Sequence, residues 1–394
     1  MPDDDQSQRP PIVHVFGRMR LADGGVVRAI ADLCDAVAHA GRDVVLLSAD
    51  CDEPGVLWPN KSDRLRVVRL PRPIRPVGAV PAEAVDALAG AGVIHLHSTW
   101  EIGHPVVARA ARRLGIPYVL TAHGMLDEWC MRQRRAKKIA YLALAGRRLI
   151  ERADAFHCTT RAEMDQALRW APRARRVVIP PVFDAGEYTD LPGAGPARRR
   201  WPDAVTDARP AALFLGRVHP QKGPDLFIEA VAKLRASGID ADALIAGPGE
   251  DAYLDHLRGL AERLGVADRV HLLGLVRGRE KVSLYEHASV FALPTATESF
   301  GYVYFEALAA GTPVVTTRGV DAWPELESSG GAALVERTAE AFSDAIRALL
   351  TDDDRRAAMG RAGRAWTLDR FAPGRVVGEY LDLYDRLMAG RQKD

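Results

Sequence analysis

Two glutamates with seven residues between them, Glu298 and Glu306, bracket the expected start of a helix. The run Ser289 to Leu293 reads as a short apolar strand ending at Pro294, and a polar turn follows. From Gly301 the apolar spacing changes to that of a helix, with Phe305, Leu308 and Ala309 on one face. Gly311 stops it, and Pro313 leads into the strand Val314 to Thr316. In an open parallel sheet, such a strand–loop–helix unit binds ligands at the strand's carboxyl end, beside the helix N-terminus. The amides of Ser299, Phe300, Gly301 and Tyr302 then lie at the positive end of a helix dipole and suit a phosphate group. A phosphate repels carboxylates, so Glu298 and Glu306 should face neutral hydroxyls, which a carboxylate accepts in pairs. Sugar, diphosphate and ribose in line meet all three conditions. The alternative for either glutamate alone is an ordinary solvated helix acid.

A second constellation supplies the cations. The strand Ala212 to Leu215 runs into Gly216-Arg217-Val218-His219-Pro220-Gln221-Lys222-Gly223-Pro224. Pro224 suits a first helical position, and Phe227, Ile228, Val231 and Leu234 form the buried face that follows. Arg217 and Lys222 thus offer a planar fork and a point charge at the same sheet edge, suited to a diphosphate unless both are merely solvated. No paired acid and nucleophile of the hydrolase kind stands out. Were a diphosphate to leave from such a site, these cations and the helix start would stabilise its charge, and no metal is expected. Asp352 to Asp354 lie between helical patterns and read as a helix N-terminus.

In the first half, the strand Ile12 to Phe16 leads into a loop from Arg18 to Gly25, ending in Gly24-Gly25 before a helix. That backbone can approach a phosphate or sugar closely, or be a plain tight turn. The fingerprint Gly-x-Gly-x-x-Gly is absent here, which argues against a nicotinamide cofactor. Further strands are Val44 to Leu47, Leu65 to Leu70, Val93 to Leu96, Pro117 to Thr121, Ala155 to Thr159 and Val177 to Ile179. His97 and His123 fall at strand carboxyl ends; both read as ligand-facing or structural, and as a metal pair they lack a close-spaced third ligand. Arg18, His97 and Trp100 are candidates for contact with an acceptor.

The alternation of strands and helices predicts a layered parallel α/β fold. A length of 394 residues with 47% hydrophobic content suits two or three domains, and no run is long enough to span a membrane. The acidic, polar start from Met1 to Pro11 does not read as a signal peptide. Cys34, Cys51, Cys130 and Cys158 show no paired spacing and read as reduced thiols in a cytoplasmic protein. Net charge is +1, yet residues 101–200 hold 19 Lys/Arg against 10 Asp/Glu. Much of that excess lies on a long amphipathic helix expected from Met131 to Ala153, which can rest on an anionic membrane or simply face solvent. Nucleic acid is not an expected partner, since no aromatic platform accompanies the basic residues. Pro71 to Pro81 reads as a proline-rich loop that could shape an acceptor mouth. Residues 185–210, rich in Pro, Gly, Ala and Arg, read as a linker between domain 1–184 and domain 211–373.

Glu298-x7-Glu306, the Phe300-Gly301 pair, the run Glu306-Ala-Leu-Ala-x-Gly311-x-Pro313-Val-Val and the loop Gly216-Arg217-x4-Lys222-Gly223 together resemble the retaining glycosyltransferases of family four. His123-Gly-Met-Leu126, followed by Trp129 and the basic helix, resembles the subgroup working on bacterial surface polysaccharides. The resemblance covers nearly the whole chain. It implies the glycosyltransferase B fold, two Rossmann-like domains around a central cleft, with the last helix, Arg375 to Leu387, crossing back so that 374–394 joins the first domain. It places the donor sugar on Glu298 and near His123, the ribose on Glu306, the diphosphate on Arg217 and Lys222, and the base on Val276. It implies a nucleoside-diphosphate sugar, UDP- or GDP-linked, as substrate with no further cofactor. A glycan or lipid-linked acceptor at the inner membrane face is the expected partner. Alternatives are a same-fold enzyme such as a nucleotide-sugar epimerase, or transfer to a small soluble acceptor.

Overall fold

The computed structural model describes residues 9–75 and 80–391. The expected loop Pro71 to Pro81 therefore lies partly outside the described residues, as does most of the stretch Met1 to Pro11. The chain forms two compact units, Met1–Phe183 with Gly374–Asp394, and Asp184–Pro373.

The first unit is built on a seven-stranded parallel sheet. Its spatial order is Leu65–Arg69, Val44–Ser48, Ile12–Val15, Val93–His97, Tyr118–Thr121, Ala155–Cys158 and Arg176–Val178. Runs such as Val44–Ser48 are buried throughout, as expected of strands covered on both faces. The order reverses between Ile12–Val15 and Val93–His97, and a doubly wound sheet opens a ligand crevice beyond the carboxyl ends of such a pair. The last helix, Arg375–Arg391, belongs to this unit. Its Tyr380 and Tyr384 are buried, and its Asp385 receives the buried Arg42 guanidinium at 2.6 Å.

Two stretches of this unit differ from expectation. The Arg18 to Gly25 loop contains a short strand, Arg18–Met19, paired with Asp50–Cys51, then a 3-10 turn, Leu21–Asp23. The long helix expected from Met131 to Ala153 is interrupted. A short helix, Glu128–Arg132, is capped by Asp127, and the chain resets at Arg134, whose φ is +50°. Helix resumes over Arg135–Tyr141, widens into a π turn at Leu142–Gly146, and closes with Arg147–Glu151. Lys138 fixes the break by donating to the Cys130 carbonyl at 2.6 Å. Tyr141 packs so closely on Gly146 that a Cβ there would lie 2.6 Å from its ring.

The second unit carries a six-stranded sheet ordered Val270–Gly274, Asp242–Ala246, Ala211–Leu215, Val290–Leu293, Val314–Thr317 and Ala332–Val335. Its pairings are parallel, and its order reverses between Ala211–Leu215 and Val290–Leu293. Residues 185–210, expected as a linker, are built into this unit. The helix Gly195–Arg200 lies on the helix Gly278–His287: Ala197 N–H donates to Ser283 Oγ at 3.0 Å, and Gly193 N–H to Glu286 Oε2 at 2.7 Å. Small residues admit this approach, and the partner helix's polar side chains satisfy the loop backbone. Asp352 caps the helix Asp353–Arg370, accepting from Arg355 N–H at 2.9 Å.

At the carboxyl edge of the second sheet, the loop after Ala211–Leu215 is held by the loop after Asp242–Ala246. Gly216 N–H donates to Ala246 O at 3.0 Å, and Gly247, at φ +141°, lies so close that a Cβ would overlap the Gly216 carbonyl. Gly247→Ala should destabilise the unit by about 2–4 kcal/mol. Gly238→Ala, at φ +86° with open space around it, should cost only about 1 kcal/mol. Equal shifts in the thermal unfolding midpoints would mean that backbone angle alone, and not the contact, sets the requirement.

Candidate active site

In the second unit, the chemistry-bearing residues flank the point where strand order reverses. Lys222 follows the strand Ala211–Leu215, Glu298 follows Val290–Leu293, and their side chains form a part-buried ion pair. The two loops are stitched together by backbone as well. Ala296 N–H donates to Gln221 O at 2.8 Å, and Thr295 Oγ to the same oxygen at 3.2 Å. Gly301, at φ +72°, is the N-cap of the helix Tyr302–Ala309. A Cβ there would overlap the Tyr304 ring and lie 2.9 Å from Glu298 Cγ, so the turn brings Glu298 hard against the helix start. Ser299 and Phe300 complete this turn, with Phe300 buried against Phe305.

Glu306 sits deeper, on that helix. It accepts from Lys281 Nζ at 2.7 Å and from the buried Tyr285 hydroxyl at 3.0 Å. Arg217 is exposed and makes no ion pair among the described residues. Val276 is 8% exposed, two residues beyond the strand Val270–Gly274.

In the first unit, Gly24, at φ +101°, caps the helix Gly25–His39, with open space beside both glycines. Arg18 pairs with Asp23 at 2.9 Å, and the Trp100 indole donates to Met125 O at 3.0 Å. His97 and His123 come together: His97 Nδ1 lies 3.1 Å from His123 Nε2, while His97 Nε2 lies 2.9 Å from His14 Nδ1. His123 and Ser98, each just beyond a strand end, hold φ of +54° and +78°, a backbone strain of the kind found where geometry is over-determined.

These rings belong to a larger buried layer. Burial pushes His14 down to about 3 and His157 to about 4, and holds His95 and His97 well below the usual range, so all four are neutral at pH 7. Neutrality fixes the protons. A carbonyl only accepts, so His157 Nε2–H donates to Ile179 O at 2.7 Å. Its bare Nδ1 takes the Thr121 hydroxyl proton at 2.8 Å. That hydroxyl accepts from His95 Nε2–H at 2.6 Å, and His95 Nδ1 accepts from the Tyr384 hydroxyl at 2.7 Å. In the other row, His14 Nε2 has no partner among the described residues. A buried lone pair is cheaper to leave unpaired than a buried N–H. The His14 proton therefore sits on Nδ1, and donation runs from His14 to His97 to His123, leaving the His123 proton on its Nδ1. The ligand atoms of His14, His95 and His97 lie within 4.8 Å of one another. Their nitrogens, His14 Nε2 excepted, are engaged in these hydrogen bonds, so the cluster as built is a hydrogen-bonded layer.

The family described as "Glycosyl transferase 4-like domain" matches residues 24–182, and "Glycosyl transferases group 1" matches residues 198–366. A D-inositol 3-phosphate glycosyltransferase of Mycolicibacterium smegmatis is 32% identical over 79% of this chain and 71% of its own length. A GDP-mannose-dependent alpha-(1-6)-phosphatidylinositol monomannoside mannosyltransferase of the same organism is 34% identical over 68% and 69%. The chain belongs to this glycosyltransferase family. Among solved structures, Anabaena HepE in complex with UDP covers 95% of this chain and 100% of its own, with a TM-score of 0.79 at 18% identity. A sucrose-phosphate synthase from Thermosynechococcus elongatus covers 97% and 100%, with a TM-score of 0.74 at 22% identity. These likenesses bear on the fold, which is glycosyltransferase B.

Several side chains of this glycosyltransferase escaped the sequence reading. Lys281 and Tyr285 lie four apart on one helix, a spacing that puts both on the Glu306 side, but nothing in sequence ties that helix to Glu306. His14 and His95 are alternate-strand residues whose burial appears only when the strands pair. Glu163 is buried and accepts from Gly124 N–H and from the Thr159 hydroxyl at 2.8 Å, bracing the turn that carries His123. Thr160-x-x-Glu163 is a capping-box spacing and was the available signal.

The histidine layer should make stability fall in mild acid. His14, His104 and His157 move from about 6.5 when unfolded to about 3, 4 and 4 in the fold. The unfolded chain therefore binds more protons between pH 6.5 and 4, and stability is lost as pH falls through that window. Desolvation pushes the half-buried Glu101 and Asp127 and the buried Glu163 upward, and these oppose the trend in part. The urea midpoint should drop steadily from pH 7 to pH 4.5; a flat or rising profile would count against neutral buried imidazoles.

Proposed function

We propose that this glycosyltransferase moves a sugar from a nucleoside-diphosphate sugar to an acceptor hydroxyl with retention of configuration and without a metal ion. The observation that carries the reading is the Lys222–Glu298 pair beside the helix start at Gly301. Lys222 and Arg217 take the diphosphate, and the helix start adds N–H groups and dipole. Glu298, its charge balanced by Lys222, accepts hydroxyls of the donor sugar. Glu306 spends one lone pair of each oxygen on Lys281 and Tyr285, and its remaining acceptor sites suit the paired hydroxyls of a ribose. Val276 offers backbone groups to the base. In the first unit, Gly24-Gly25 and His123 serve the donor side, while His97, Trp100 and Arg18 serve the acceptor. The cations and the helix end stabilise the leaving diphosphate as charge builds on it, the work a divalent metal does elsewhere.

For the acceptor we infer a lipid-linked glycan or phosphatidylinositol-type lipid, met at the cytosolic membrane face. The mannosyltransferase relative is named for such a lipid, and WaaG, similar in fold, for lipopolysaccharide biosynthesis. Bacterial surface-polysaccharide assembly is one setting. Among the described residues no helix is long and apolar enough to cross a membrane. A small soluble phosphorylated acceptor is the second reading, favoured by the D-inositol 3-phosphate relative. Release of nucleoside diphosphate on adding a lipid-linked acceptor, against D-inositol 3-phosphate, separates them.

Lys222→Ala and Arg217→Ala each remove a charge-assisted contact worth about 2–4 kcal/mol in the transition state. Turnover should fall about a hundredfold or more with the unfolding midpoint of Arg217→Ala unchanged. Near-native rates in both variants would remove the diphosphate role. Turnover should also persist in excess chelator; its abolition, with rescue by magnesium or manganese, would sink the metal-independent mechanism.

A further inference from the structure

At the carboxyl edge of the first sheet, nothing answers the charge of Glu101. This residue follows the strand Val93–His97, and its carboxylate lies against Gly17, just beyond the strand Ile12–Val15. A Cβ on Gly17 would come within 2.8 Å of Glu101 Oε2. These are the two strands between which the sheet order reverses, so the carboxylate stands at the crevice that such a pair opens. Glu101 is half-buried and makes no hydrogen bond or ion pair among the described residues; desolvation pushes it upward with nothing to draw it back. The neighbouring cations are engaged elsewhere. Arg18, next to Gly17, pairs with Asp23 at 2.9 Å, and Lys138 donates to the Cys130 carbonyl at 2.6 Å while lying over the Trp100 ring. Burial, and then the Glu101 charge, push the Tyr141 phenol up to about 12, yet its buried hydroxyl does not bond to Glu101.

An unpaired, half-buried carboxylate costs stability, and the fold nonetheless makes room for it. Gly17 lies outside the left-handed region, so the carboxylate, and not the backbone, is what excludes a side chain there. The turn is also approached by the loop after Leu65–Arg69. Ile74 packs on Gly103 so closely that a Cβ there would lie 2.6 Å from the Ile74 Cβ. The chemistry selects what can meet Glu101. An anion is repelled by it, and an ammonium group would meet Arg18 and Lys138 along the same edge. Two neutral hydroxyls donate to the two carboxylate oxygens with neither penalty. We propose that Glu101 selects the acceptor by taking paired hydroxyls of a neutral polyol or sugar ring, so that the end of the acceptor entering this edge is uncharged and any phosphate it carries lies outside. The proposal rests on the reading of this edge as the acceptor side. Its readout needs no donor, so failure of polyol binding and failure of sugar transfer are distinguishable.

Saturation-transfer NMR of the full chain with myo-inositol and with methyl α-mannopyranoside, in the absence of donor, tests it. Both should bind, and their dissociation constants should rise about tenfold or more in Glu101→Ala, which removes hydrogen bonds to a charged acceptor. Gly17→Ala keeps the charge but displaces the carboxylate, and should weaken binding in the same direction. D-Inositol 3-phosphate should displace methyl α-mannopyranoside less well than myo-inositol does, and Glu101→Gln should narrow that gap by removing the repulsion. The thermal unfolding midpoint of Glu101→Ala should equal or exceed that of the native chain, since an unpaired carboxylate is relieved. A lower midpoint would assign Glu101 to the fold and overturn the proposal. So would undetectable polyol binding, or binding that survives unchanged in Glu101→Ala and Gly17→Ala. Binding lost in Glu298→Ala but kept in Glu101→Ala would put the polyol at the donor-sugar position and overturn it as well.

Discussion

In both units the sheet is parallel and covered on both faces, so its backbone groups are satisfied internally and polar side chains are admitted only under two conditions. They must pair with one another inside the sheet, or they must stand where the strands end. The rest of the structure follows from that constraint. In the second unit the buried Asp242 at a strand's amino end is held by Arg209, while Lys222 and Glu298 stand at the carboxyl edge, where strand order reverses and two loops diverge. Lys222 and Glu298 neutralise each other there, which lets both charges remain part-buried beside a helix start.

The first unit takes the other option. Its central strands carry histidines at positions where aliphatic residues would ordinarily pack, and the cost of burying their nitrogens is offset by two hydrogen-bonded rows. The row through Thr121 ends on Tyr384 of the last helix, so the C-terminal segment contributes a hydroxyl to the interior of a sheet formed from the beginning of the chain. The row through His14 ends on His123, whose strained backbone is braced from behind by Glu163. Interior satisfaction and the geometry of a strand-end residue are thus one network, and a change in any ring shifts the proton arrangement of its neighbours.

Charge is handled differently on the two sides of the first sheet. At the carboxyl edge, Arg18 is held by Asp23, and the glycine turn at Gly24 leaves open space. Toward the amino edge, five arginines line one groove that no acid lines, while Arg112 and Arg152 also border a second with Glu151 and Asp154. After the interrupted helix resets at Arg134 and passes its π turn, Leu144 and Arg148 line the same groove as the helix His104–Arg113.

The sequence by itself determined the alternation of strands and helices, the glycosyltransferase B architecture through its resemblance, and the strand–loop–helix setting of Glu298 and Glu306. These are local properties: apolar periodicity, Gly and Pro punctuation, and motif spacing act over a few residues and survive any tertiary context. What only the tertiary structure decided is who meets whom across the chain. Lys222 reaches Glu298, Lys281 and Tyr285 reach Glu306, and His14 joins His97 because parallel strands distant in sequence lie side by side. The fate of 185–210 was decided in the same way, since Gly- and Ala-rich composition fits a free linker and a backbone laid against Ser283 equally well. Composition records what each residue can do; hydrogen-bond partners and burial are set only when the sheet closes.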